Sequence, residues 1–110
     1  MSTYNPDNWV VLKVKEGKGT FPFYKVLAGW SGGYLDSDMW RMNSGVTKVY
    51  ERDDFYEFYG ESGSVYYCQK NSYGLRMNNA GIYNKLIKQQ HFKGQIQMMP
   101  DDTDWMEIDY

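Results

Sequence analysis

Val46-Thr47-Lys48-Val49-Tyr50-Glu51, Phe55-Tyr56-Glu57-Phe58-Tyr59 and Ser64-Val65-Tyr66-Tyr67-Cys68-Gln69 are β-rich runs, separated by Arg52-Asp53-Asp54 and by Gly60-Glu61-Ser62-Gly63. β-Branched and aromatic side chains suit a pleated, half-buried surface. Connections this short make neighbouring runs pair antiparallel. The stretch therefore predicts a meander and sets the expectation for the whole chain, which is mainly β.

Toward the N-terminus, Asn8-Trp9-Val10-Val11-Leu12-Lys13-Val14-Lys15 reads as a strand ending in the turn signal Glu16-Gly17-Lys18-Gly19. Phe23 to Ala28 reads as a second strand, with Pro22 at its start, where no ladder donor is needed. The glycine-rich stretch from Gly29 to Asp38 reads as a loop, and Met39-Trp40-Arg41-Met42 as a short strand closed by Asn43-Ser44-Gly45. Toward the C-terminus the pattern changes. Ile82, Tyr83, Leu86 and Ile87 share one helical face, which predicts a helix over Leu75–Gln90. Asn78 or Asn79 is positioned to cap its start, and Lys85 and Lys88 suit its negative end. Lys93 to Met98 reads as a last strand. The expected architecture is a small, strongly curved antiparallel sheet or barrel of about five to seven strands. One helix in the C-terminal half covers an open edge or face. Residues 1–100 form a single β-rich domain, and residues 101–110 form an acidic aromatic tail.

At 110 residues the chain has room for one domain. Its hydrophobic content of 42% and aromatic content of 18% set it apart from disordered sequences, so the body is expected to fold. The lone Cys68 makes no staple and no C-x-x-C pair, which fits a reducing compartment. The N-terminus lacks a signal-peptide pattern, and the longest unbroken apolar run, Trp9 to Leu12, is far short of a membrane span. The expected location is the cytoplasm.

The formal net charge of −2 is unevenly divided. Residues 62–100 carry Lys70, Arg76, Lys85, Lys88 and Lys93 and no acid, whereas residues 101–110 carry Asp101, Asp102, Asp104, Glu107 and Asp109 and no base. A basic stretch running into an acidic tail is the main electrostatic feature of the chain.

Catalytic patterns are weak throughout. Gly29-Trp30-Ser31-Gly32-Gly33 matches G-x-S-x-G, but a nucleophile elbow must enter a helix, and Tyr34 to Asp38 does not supply one. Asp36/Asp38, Asp53/Asp54 and Asp101/Asp102/Asp104 lack the ligand number and glycine offset of a calcium loop and read as turn residues. The single histidine, His91, has no companion for acid–base work, and Cys68 has no cluster to lower its pKa. No metal, cofactor or enzymatic activity is expected.

Binding patterns are stronger. From Trp105 the tail alternates acids with large apolar residues. Trp105, Met106, Ile108 and Tyr110, with Asp102 and Asp104, form a candidate surface for a basic protein partner. The equal alternative is an expectation that the tail folds back on the basic segment of its own domain. A second candidate set interleaves aromatics with bases: Trp40, Arg41, Arg52, Tyr66, Lys70, Tyr73 and Arg76. Small β-barrels bind single-stranded nucleic acid or nucleotides with this mixture, stacking bases on rings and tracking phosphates with cations. An exposed strand edge would also allow a homodimer.

The runs Tyr24 to Trp30, Met39 to Gly45 and Ser62 to Tyr66 resemble small uncharacterised accessory proteins of tailed bacteriophages, over about the central half of the chain. The resemblance implies a setting inside a bacterial host and a non-enzymatic protein that binds and inhibits or redirects a host protein, including a defence component. No functional residue is carried over by it.

Overall fold

The computed structural model describes residues 2–15, 21–31, 39–93 and 95–110, with residues 77, 78, 90–93 and 95 described by backbone alone. The chain is mainly β with one helix. Its elements run β1 (Thr3–Tyr4), β2 (Asn8–Lys15), β3 (Phe23–Trp30), β4 (Met39–Met42), β5 (Val46–Glu51), β6 (Phe55–Gly60), β7 (Val65–Gln69), α1 (Met77–Lys93) and β8 (Gln95–Met98). A single 3-10 turn, Lys70–Ser72, follows β7.

The strands divide between two four-stranded sheets, ordered β1-β7-β6-β5 and β4-β3-β2-β8. The expected meander is the β5-β6-β7 part of the first sheet, paired antiparallel throughout. The sheets are stacked, not closed into a barrel. The reason lies in β2 and β3, which bury both faces. Trp9, Val11, Tyr24, Val26 and Ala28 face the first sheet, where they meet Val49, Phe58, Tyr66 and Cys68. Val10, Leu12 and Leu27 face the other way, against Ile82, Tyr83 and Leu86 of α1. A strand sandwiched between two apolar layers loses its polar alternation, which explains the unbroken run Trp9 to Leu12. The result is three layers: sheet, sheet, helix.

Side chains complete the ladders where backbone pairing ends. The Tyr73 hydroxyl is inserted between β2 and the segment after β8. It accepts from the Val11 N–H (3.1 Å) and donates to the Met99 carbonyl (2.5 Å). Asn43 closes the β3–β4 ladder by accepting the Val26 N–H on its side-chain oxygen (2.9 Å). The helix starts at Met77, so Asn78 and Asn79 lie in its first turn and neither is the N-cap residue that the sequence suggests. Asn79 Oδ1 reaches back to the Arg76 N–H (2.9 Å), as the acidic residue of a capping box does. The same oxygen accepts from Asn8 Nδ2 (3.2 Å), which ties the helix start to β2.

Strand β1, absent from the sequence reading, is two residues long and too short to show a periodicity. It pairs parallel with β7, with Thr3 beside Val65 and Tyr4 beside Tyr66. The predicted turn over 16–19 and most of the predicted loop over 29–38 lie outside the described residues. Among the described residues, no helix is long and apolar enough to cross a membrane.

Candidate functional site

The tail folds back onto the domain. After Pro100 it takes two tight turns held by its own groups: Thr103 N–H and Oγ donate to the Pro100 carbonyl (3.2 and 2.6 Å), and Asp104 Oδ1 accepts from the Met106 N–H (3.0 Å). An aspartate accepting from the backbone two residues on is a turn former, which accounts for Asp104. Between them the turns direct Trp105 inward. Its ring packs against Trp9, Phe58 and Tyr73 at centroid separations of 5.7, 5.9 and 5.6 Å and is 2% exposed. Of the tail residues predicted to anchor a partner, Trp105 is therefore a core residue, and residues 101–110 are joined to the domain through it. Tyr73 belongs to the basic segment, and Lys70 of that segment shares a cleft of about 220 Å³ with Asp101, Asp102 and Trp105.

The outer half of the tail builds a surface. Met106 is 46% exposed, and Ile108 and Tyr110 are half-buried. Tyr110 donates its hydroxyl to the Trp105 carbonyl (2.8 Å) and sets its ring edge-on to Tyr24 at 5.6 Å. Burial first, then the nearby Tyr24 and Asp104, raise the Tyr110 phenol well above its usual range. Together with Phe21 and Pro22 these rings line a groove of about 670 Å³ that carries Glu107 and Asp109. Phe21 is 92% exposed. An exposed phenylalanine beside the buried Tyr24 ring, the half-buried Tyr110 ring and two carboxylates is an apolar floor with an acidic rim. Asp102 and Asp104 are solvent-facing on the same tail.

The aromatic and basic set is not assembled at one place. Tyr66 is buried between the sheets, and Tyr73 lies under Trp9 and Trp105; burial pushes both phenols up to about 12. Arg52 lies over the outer face of the first sheet, where it holds Glu57 by two bonds (2.6 and 3.3 Å). That contact, with help from the Tyr59 hydroxyl, holds the Glu57 carboxyl below its usual range. Lys70 is paired with Glu51 (2.6 Å) and lies 5.1 Å from the Tyr56 ring centre. Arg76 is exposed at the helix start. Trp40 and Arg41 are both exposed on β4 and both contribute to a groove of about 500 Å³ lined also by Tyr4, Asn5, Trp30 and Met39, although strand alternation sets their side chains on opposite faces. Strand alternation sends the inner-face rings of β6 and β7 into the core, so sequence proximity in a meander did not make a shared surface.

Phe21, Tyr24, Tyr4, Trp30 and Met39 were not singled out in the sequence. Each gains its place through contacts between segments far apart in the chain, for which a single sequence carries no signal. Cys68 is fully buried, and burial pushes its thiol well up, so it is protonated at neutral pH. Asp36 and Asp38 and the side chain of His91 lie outside the described residues. Among the described residues, no three His, Cys, Asp or Glu side chains cluster closely enough to hold a metal ion. Comparison with protein-family models, with curated proteins and with solved structures gives no match for the chain.

Proposed function

We propose that the chain is a non-enzymatic accessory protein that binds a host protein and thereby inhibits or redirects it, using the groove floored by its C-terminal segment. The observation that carries this reading is the juxtaposition of Phe21, Tyr24, Ile108 and Tyr110 with Glu107 and Asp109 in one groove. Large aromatic side chains dominate the energy of protein interfaces, and charges at the rim steer the encounter. The tail carries five acids and no base, so the complementary partner surface is basic with an apolar projection. The resemblance to phage accessory proteins supplies the host setting.

The test is affinity capture from nuclease-treated bacterial lysate, followed by rebinding of the captured protein in purified form. The wild type is compared with Phe21→Ser and with Glu107→Lys/Asp109→Lys. The reading expects loss of the purified interaction in the first variant and a slower, less salt-sensitive association in the second. Undiminished binding by both variants would rule this groove out. A second reading, single-stranded nucleic acid, draws on the exposed Trp40–Arg41 pair. It expects binding of an oligonucleotide that weakens steeply with salt, because counterions are released.

A further inference from the structure

We infer a second docking surface, independent of the groove just described. The outer edge of β4 accepts an added strand from a partner, an extended peptide with acidic residues on one face and apolar residues on the other.

Register fixes which backbone groups are available. The Asn43 N–H donates to the Val26 carbonyl (3.0 Å), and β4 pairs with β3 through Arg41↔Ala28 and Met39↔Trp30. Backbone groups in an antiparallel pair alternate in direction, so Arg41 and Asn43 bond toward β3, while Trp40 and Met42 turn their N–H and C=O outward. β4 is the end strand of its sheet, and among the described residues nothing pairs with those outward groups.

The β5 edge of the first sheet is guarded differently. β5 bears a bulge between Val46 and Lys48, and Lys48 and Glu51 are exposed along it, which are devices that discourage edge pairing. β4 has one charge and presents Met39, 60% exposed, and Trp40, 45% exposed. Strand addition derives affinity from main-chain bonds and specificity from alternate side chains.

The alternation also names the partner. Arg41 shares a face with Met39, and its guanidinium stands 4.7 Å from the Tyr4 ring centre, with no carboxylate partner among the described residues. Trp40 lies opposite Gly29 and stands on the other face. A strand beside β4 therefore meets a cation on one side and an indole on the other. Acids facing Arg41 and apolar residues facing Trp40 are the complementary pattern. A second copy paired about Arg41 would set two guanidinium groups directly opposite each other, which is unfavourable.

The experiment uses the full chain and the fluorescein-labelled peptide Ser-Asp-Val-Asp-Phe-Asp-Val-Ser, read by anisotropy. Controls are the Lys-for-Asp peptide, a peptide N-methylated at alternate residues and a labelled oligothymidine. The expected result is binding of the acidic peptide, weakened about tenfold by N-methylation through loss of main-chain bonds and about thirtyfold by Trp40→Ser. Arg41→Glu is expected to transfer the preference to the lysine peptide. Both residues are exposed, so an unchanged urea midpoint confirms that the variants fold. Equal binding of the acidic and lysine peptides, no peptide binding, preference for the oligothymidine, or a dimer abolished by Trp40→Ser would each overturn the inference. None of these results bears on the Phe21 groove.

Discussion

Asp104-Trp105-Met106-Glu107 and Met39-Trp40-Arg41-Met42 look alike as sequence, each a tryptophan set among methionine and charge. In the fold they are opposites. Trp105 is held in no strand, yet its ring is 2% exposed; Trp40 is in a regular strand, yet its ring is 45% exposed. Local regularity does not decide burial. Trp105 is buried because two tight turns aim it at the end of the aromatic layer formed by Trp9, Phe58 and Tyr73. Trp40 is open because β4 is an end strand. The first residue serves stability, and the second is available for recognition.

The sharpest way to break this contrast is Trp105→Ala. Removing a buried tryptophan is expected to destabilise the fold by about 3–5 kcal/mol, which urea unfolding would show as a large fall in midpoint. Next comes the neighbour on which Trp105 rests. Tyr73→Phe keeps the ring but leaves the Val11 N–H and the Met99 carbonyl without the inserted hydroxyl, a loss of about 2 kcal/mol by the same measurement.

Alkaline titration probes the same region. The folded values for Tyr66 and Tyr73 are raised to about 12 by burial, so the stability they contribute is complete below the ordinary tyrosine value. It is lost as pH rises from there through the folded value, because the unfolded chain ionises first. Between roughly pH 10 and 12 the unfolding free energy should fall by up to about 2 kcal/mol for each of the two phenols, and Tyr73→Phe should remove part of that slope. The smallest effect belongs to the other tryptophan. Trp40→Ala should change stability by no more than about 0.5 kcal/mol.

Much of this architecture was legible in the sequence. The meander from Val46 to Gln69, the strand Asn8–Lys15 and the helix all carry local periodicity, whereas the start of the helix was misplaced because Asn79 bonds back from inside the first turn. Two stacked sheets were not legible, because whether a meander curls into a barrel or stacks on a second sheet depends on contacts between distant segments. The run Trp9 to Leu12 was the available clue, since a strand apolar on both faces needs two covering layers. The candidate surface was legible in half. Ile108, Tyr110 and the tail acids were identified, but Phe21, which faces them, is distant in the chain. In the sequence Trp105 reads equally as a partner contact or as part of a tail folded back, because an acidic, aromatic C-terminal segment looks the same whether its tryptophan points outward or into the core.

The most direct test of this division is fluorine NMR on protein carrying 5-fluorotryptophan at its four tryptophans, assigned by Trp→Phe variants. The structure predicts that the Trp40 resonance responds strongly to a paramagnetic cosolute and to exchange of water for deuterium oxide, while Trp9 and Trp105 respond hardly at all. A Trp105 resonance as solvent-sensitive as that of Trp40 would contradict the packing of the C-terminal segment and release Trp105 for recognition.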